Sequence, residues 1–78
     1  MGPHARAAVP ALSKALMDDE SGVRYRVARA LGRIGPDARA AIPALIEALR
    51  DKDERVRTAA AEALKEIDAE AAKKAGVR

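Results

Sequence analysis

Two stretches decide the fold when one is laid on the other: GPHARAAVPALSKALMDDESGVRYRVARALGRI (residues 2–34) and GPDARAAIPALIEALRDKDERVRTAAAEALKEI (residues 35–67). At an offset of 33 they match at 18 of 33 positions without a gap. The matches include Gly2/Gly35, Pro10/Pro43, Leu12/Leu45, Asp18/Asp51, Arg24/Arg57, Leu31/Leu64 and Ile34/Ile67. A period of this length is one supersecondary unit that cannot bury its own apolar face and must stack on its neighbour.

Within each unit the periodicity resolves into two helices. Ile42, Leu45, Ile46 and Leu49 recur at helical spacing on helix A, with Pro43 in the first turn, where its missing N–H costs nothing. The polar run Asp51-Lys52-Asp53 ends that helix, and Asp53 is placed to cap helix B. Helix B carries Val56, Ala60, Ala63, Leu64 and Ile67 on one face. The first unit repeats the pattern with Val9, Leu12 and Leu16, then Val23, Val27, Ala30, Leu31 and Ile34. From Asp68 onward the repeat is lost. Asp68 as N-cap, a helix from Ala69 to Ala75 and Gly76 past its end read as a capping helix over 68–78.

The spacing alone is shared by several solenoids, but the Thr-Pro-Leu-His of ankyrin repeats and the aromatic signature of tetratricopeptide repeats are missing. Both copies instead read Pro-Ala-Leu-x-x-Ala-Leu-x-Asp, then Val-Arg, then Ala-x-Ala-Leu-x-x-Ile. This resembles the short HEAT-like repeat of the phycobilin-lyase type. The resemblance implies an all-α fold, an α/α solenoid (superhelix) of two antiparallel hairpin repeats, 2–34 and 35–67, followed by the capping helix. It also implies a ladder in which the Asp ending helix A bonds an Arg early in helix B of the neighbouring repeat. Those positions are Asp18, Arg24, Asp51 and Arg57.

Composition narrows the chemistry. The chain has 78 residues, no cysteine, one histidine (His4) and one aromatic residue (Tyr25). There is no phosphate-binding Gly-rich loop, no nucleophile elbow and no zinc-binding His pair. Some proteins with HEAT-like repeats are enzymes, but the residues they use are not here. No His-Glu pair offers a di-iron site, and no set of aromatics lines a base-binding cleft. A non-enzymatic protein without cofactor or metal is therefore expected. No apolar run approaches the roughly 20 residues of a membrane span. The amino-terminal stretch lacks the apolar core of a secretory leader, so a cytoplasmic address is expected.

The expected function is a protein-protein interaction scaffold, the C-terminal piece of a longer array. The first repeat has no polar cap at its start, so a self-association face is expected at Val9, Leu12, Leu16, Val23 and Val27, giving a homo-oligomer, most simply a two-fold dimer. A second site is the stripe of Arg26, Arg29 and Arg33 with Tyr25 beside it, suited to an acidic partner. The alternative function rests on this stripe: a small module binding nucleic acid or another acidic partner. The bland reading is that Arg29 and Arg33 pair laterally with Glu62 and Glu66, one repeat on. The net charge of +3 does not favour nucleic acid. The excess lies chiefly in the first repeat, and no aromatic platform is present for stacking bases.

Overall fold

The computed structural model describes residues 5–77, so His4 and the start of the first copy lie outside the described residues. Five α-helices follow in order: α1 (Ala5–Ala15), α2 (Ser21–Ile34), α3 (Ile42–Ala48), α4 (Glu54–Ile67) and α5 (Ala69–Lys74). A 3-10 segment, Gly35–Ala41, leads into α3. The described residues contain no strand, and the chain is all-helical.

α1 and α2 form one hairpin; the 3-10 segment with α3, and α4, form the second. The largest contact between elements is α2 against α4, and α1 packs chiefly on the 3-10 segment and on α2. Core residues come from every element. Leu31, Leu45, Leu64, Val9 and Val56 are the largest side chains sealed from solvent. Much of the remaining core is alanine: Ala28, Ala38, Ala41, Ala59, Ala60 and Ala63 are all buried. Small side chains let helices approach closely, and interiors are packed too densely for a larger residue to be absorbed without cost.

Local chemistry explains the element ends. α2 terminates at Gly35, whose φ of 75° is left-handed, and whose N–H bonds the Leu31 carbonyl. Only glycine adopts that region without strain, and Pro36 then prevents the helix from continuing. Asp53 caps α4 by accepting the Arg55 backbone N–H at 2.8 Å. Asp68 caps α5 through the N–H groups of Glu70 and Ala71, and α5 packs on α4. Gly76, at φ 91°, follows its last turn.

The two copies differ where the prolines fall. In the second, residues 38–41 are 3-10 with a kink at Ala38, and Pro43 lies in the first turn of α3. In the first, the equivalent residues are α-helical, so Pro10 sits inside α1 rather than at its start. A proline there leaves the carbonyl four residues back, at exposed Arg6, without its helical donor.

Candidate docking face and ion-pair rung

Among the described residues, Arg24 is the one charged residue that is buried. Its Nε donates to Asp51 Oδ2 at 2.7 Å and its Nη2 to Asp51 Oδ1 at 3.1 Å, a bidentate pair joining the hairpins. Its Nη1 donates to the backbone carbonyls of Asp18 (2.6 Å) and Asp19 (3.0 Å). The pair's side chains are 9% and 10% exposed. All three Arg24 nitrogens are therefore used, which is what a buried guanidinium requires. The Asp51 carboxyl is held below its ordinary value, first by the Arg24 hydrogen bond and also by the Asp53 N–H.

The other two ladder positions make half of this arrangement. Arg57 Nη1 donates to the Asp51 carbonyl at 2.7 Å, as Arg24 does to Asp18, but no carboxylate among the described residues lies within 4 Å of it. Asp18 accepts the Glu20 N–H at 2.9 Å, as Asp51 accepts that of Asp53, and no arginine among the described residues reaches its carboxylate within 4 Å.

A groove of about 650 Å³ opens on the side of the first hairpin facing away from the second. Ala5, Ala8, Leu12, Ala30 and Ile34 form its apolar floor, and Arg26, Arg29, Arg33 and Tyr25 complete its walls. Each floor residue has a counterpart 33 residues on. Ala38, Ala41, Leu45, Ala63 and Ile67, together with Ala59 in the place of Arg26, are all 4% exposed or less. In the first copy every one of these positions is half-buried or exposed. The second hairpin is covered on this face by the first, and among the described residues nothing covers the first.

This geometry corrects the expected self-association face. Val9, Leu16 and Val27 are buried within the molecule, and only Leu12 and Val23 keep partial exposure. Val9 lies beside Pro36–Ala40 of the second hairpin. Of the α1 residues expected on that face, Val9 and Leu16 therefore point into the body, while Leu12, with Ala5 and Ala8, faces the groove. Hydrophobicity alone drew attention to the larger residues; the outward face is mostly alanine.

The basic stripe is brought together, with Arg26 at the groove alone and Arg29 and Arg33 on the ridge between it and the α2–α4 crevice. The lateral pairs with Glu62 and Glu66 are not formed within 4 Å. Arg29 donates instead to the Tyr25 hydroxyl at 2.9 Å, and this bond is the main reason its pKa is raised, with Glu62 and Glu66 adding at longer range. Tyr25 is also approached by the Arg55 guanidinium, 5.7 Å from the ring centroid, as is that of Arg29. It thus ties α2 to α4. Among the described residues, no group of three or more His, Cys, Asp and Glu is placed to hold a metal, and no helix is long and apolar enough to cross a membrane.

The family model described as HEAT repeats matches residues 9–75, most of the chain. The chain belongs to the HEAT repeat family. No curated protein and no solved structure matches it. HEAT repeats are in general protein-interaction scaffolds and typically non-catalytic. In this HEAT-repeat chain the groove and the basic stripe are two parts of one surface.

Proposed function

We propose that this chain is a non-catalytic protein-docking segment of an α-solenoid, with repeats at 2–34 and 35–67 in the short phycobilin-lyase class and α5 as a capping element. Its docking surface is the open groove of the first hairpin. The burial contrast between equivalent positions carries this reading: positions that are half-buried or exposed on the first hairpin are sealed on the second, where the first hairpin covers them. In a repeat array each interface is contributed by neighbours, so a face built like an interface is one that accepts a helical partner. The Arg24–Asp51 pair acts as one rung of the ladder, and Asp18 and Arg57 as half-rungs. A cytoplasmic setting goes with a chain that has no cysteine to oxidise.

An extra hairpin tests the reading. Fusing a further copy of residues 2–34 in register ahead of the chain should raise its melting temperature by about 5 °C or more, through one added interface. The added copy carries Arg29→Gln and Arg33→Gln, and the host Arg26→Ala, so that like charges do not oppose docking. An unchanged melting temperature would show that the face does not accept a helical neighbour. The alternative, nucleic acid or another acidic partner on Arg26, Arg29 and Arg33, has one observation in its favour: among the described residues, none of the three is paired with a carboxylate within 4 Å.

A further inference from the structure

The contact between the hairpins shows what kind of helix the open face takes. α2 lies so close to α4 that a Cβ on Gly32 would sit 3.1 Å from Ala63 Cα and would collide with Glu66 Oε1. On either side of that approach, Arg29 and Arg33 share a crevice with Glu62 and Glu66. A helix with a small residue at the crossing point and basic residues flanking it thus covers a helix with alanines at the crossing and acidic residues flanking it.

One repeat back, positions 59, 62, 63 and 66 become 26, 29, 30 and 33. The open face therefore presents Ala30 at the crossing point, with Arg29 and Arg33 where Glu62 and Glu66 stood, and Arg26 in place of Ala59. The geometry is kept and the charge is reversed. Resting on the docking reading above, we propose that this face binds an acidic amphipathic helix of another protein. Its contact segment carries a small residue over Ala30, one carboxylate three positions before it and another one position after it, in the places that Arg29, Gly32 and Arg33 take in α2.

The same register excludes the obvious competitors. A second copy stacked head-to-tail brings residue 65 to the place of residue 32. In that register Glu62 and Glu66 do meet the arginines, but Lys65 at the crossing point cannot approach Ala30 as Gly32 approaches Ala63, and α5 already packs on α4. A two-fold dimer through this face sets the arginine stripe of each copy against that of the other, and like charges in an interface select against such pairing. A nucleic acid satisfies the arginines but offers no apolar side chains to Leu12 and Ile34.

The test uses the whole chain and two helical peptides held by a hydrocarbon staple on the face away from the contact, because an unconstrained helix of this length is marginal in water. Both have the sequence of residues 21–34 with Arg24→Gln and Arg26→Gln. One keeps the two remaining arginines; the other carries Arg29→Glu and Arg33→Glu. By fluorescence anisotropy at low salt, the acidic peptide should bind at least about tenfold more tightly than the basic one. Arg26→Glu in the chain should remove that preference, and Ala30→Met should weaken binding by blocking the crossing, both with unchanged circular-dichroism melting. The proposal is overturned if the peptides bind equally, if neither binds, or if a single-stranded oligonucleotide of matched charge displaces the acidic peptide on equal terms. It is also overturned by a dimer in light scattering that the acidic peptide cannot dissociate. Should neither peptide bind while the hairpin fusion still stabilises the chain, the docking face stands and the acidic helix falls.

Discussion

Leu12 and Leu45 are the same residue at the same place in two copies of one unit, yet Leu45 is sealed and Leu12 is not. Ala8 and Ala41, or Ile34 and Ile67, tell the same story. Nothing in either hairpin makes this difference. It is made by the first hairpin lying on the second while nothing described lies on the first. In a repeat protein burial belongs to the neighbour as much as to the residue, and stability is a sum over interfaces. The largest expected effect follows directly. Leu45→Ala should cost about 2–5 kcal/mol, as for other sealed leucines, while Leu12→Ala should cost on the order of 1 kcal/mol. In a chain of this size the first is enough to unfold much of the population. Urea denaturation of the two variants compares them; equal losses would mean that Leu12 is covered in solution and the face is not open.

The ion pairs repeat that contrast in charged form. Arg24 and Arg57 both donate to the carbonyl six residues back, but only Arg24 has a carboxylate across the hairpin boundary. Removing Arg24 strands a nearly buried carboxylate at Asp51, the situation in which a lost ion pair hurts most. Arg24→Met should therefore lower the melting temperature several times more than Arg57→Met. Placing methionine at both sites keeps much of the packing of the stem, so the difference reports the charge. If the two variants melt alike, the rung does not hold the hairpins together.

What could be read from the letters, and what could not, follows the same division. The repeat, the helix order and the caps at Asp53 and Asp68 are local features, fixed by offsets of a few residues, and they are legible. The ladder positions came from the resemblance and not from spacing; of the four, Arg24 meets Asp51, while the side chains of Asp18 and Arg57, among the described residues, bond only to backbone. The direction of each apolar face was not legible. Val9 and Leu16 share α1 with Ala5, Ala8 and Leu12, and helical spacing alone does not say which set faces the second hairpin. The inward set is the one with larger side chains, because the contact of α1 with the 3-10 segment must be filled. The outward set is alanine apart from Leu12, which leaves room for close approach by another helix. The Tyr25 clamp between Arg29 and Arg55 was also invisible, since it spans the two copies at positions where they differ.

Acid sharpens the comparison at the helix starts. Asp53 is held at about 2, below its ordinary 3.8, first by the Arg55 backbone N–H and then by the Arg55 guanidinium. Asp51 is lowered as well, by Arg24. A carboxyl whose folded pKa lies below its unfolded one stabilises fully above the unfolded value and loses that contribution as pH falls through the folded one. The melting temperature should therefore drop between 3.8 and about 2. Asp53→Asn keeps an N-cap acceptor but cannot titrate, so its melting curve should fall less steeply across that window. A variant that tracks the parent throughout would place the acid sensitivity elsewhere.

The smallest effect concerns the one cap that the first copy lacks. α2 begins after Glu20, whose backbone is extended as an N-cap requires but whose side chain bonds none of the free N–H groups. At the equivalent place α4 has Asp53, which does. The two residues differ by one methylene. That methylene carries the carboxylate past the donors two and three residues on, which a shorter side chain meets. Glu20→Asp should therefore stabilise the chain by about 0.5–1 kcal/mol, a rise of a few degrees in melting temperature. The gain should persist at high salt, because it is a hydrogen bond to the backbone rather than an exposed charge pair. If the stability is unchanged, the difference between the two helix starts is not in the cap. It would then lie in the front face of α2, where Arg26, Arg29 and Arg33 crowd like charges onto one helix.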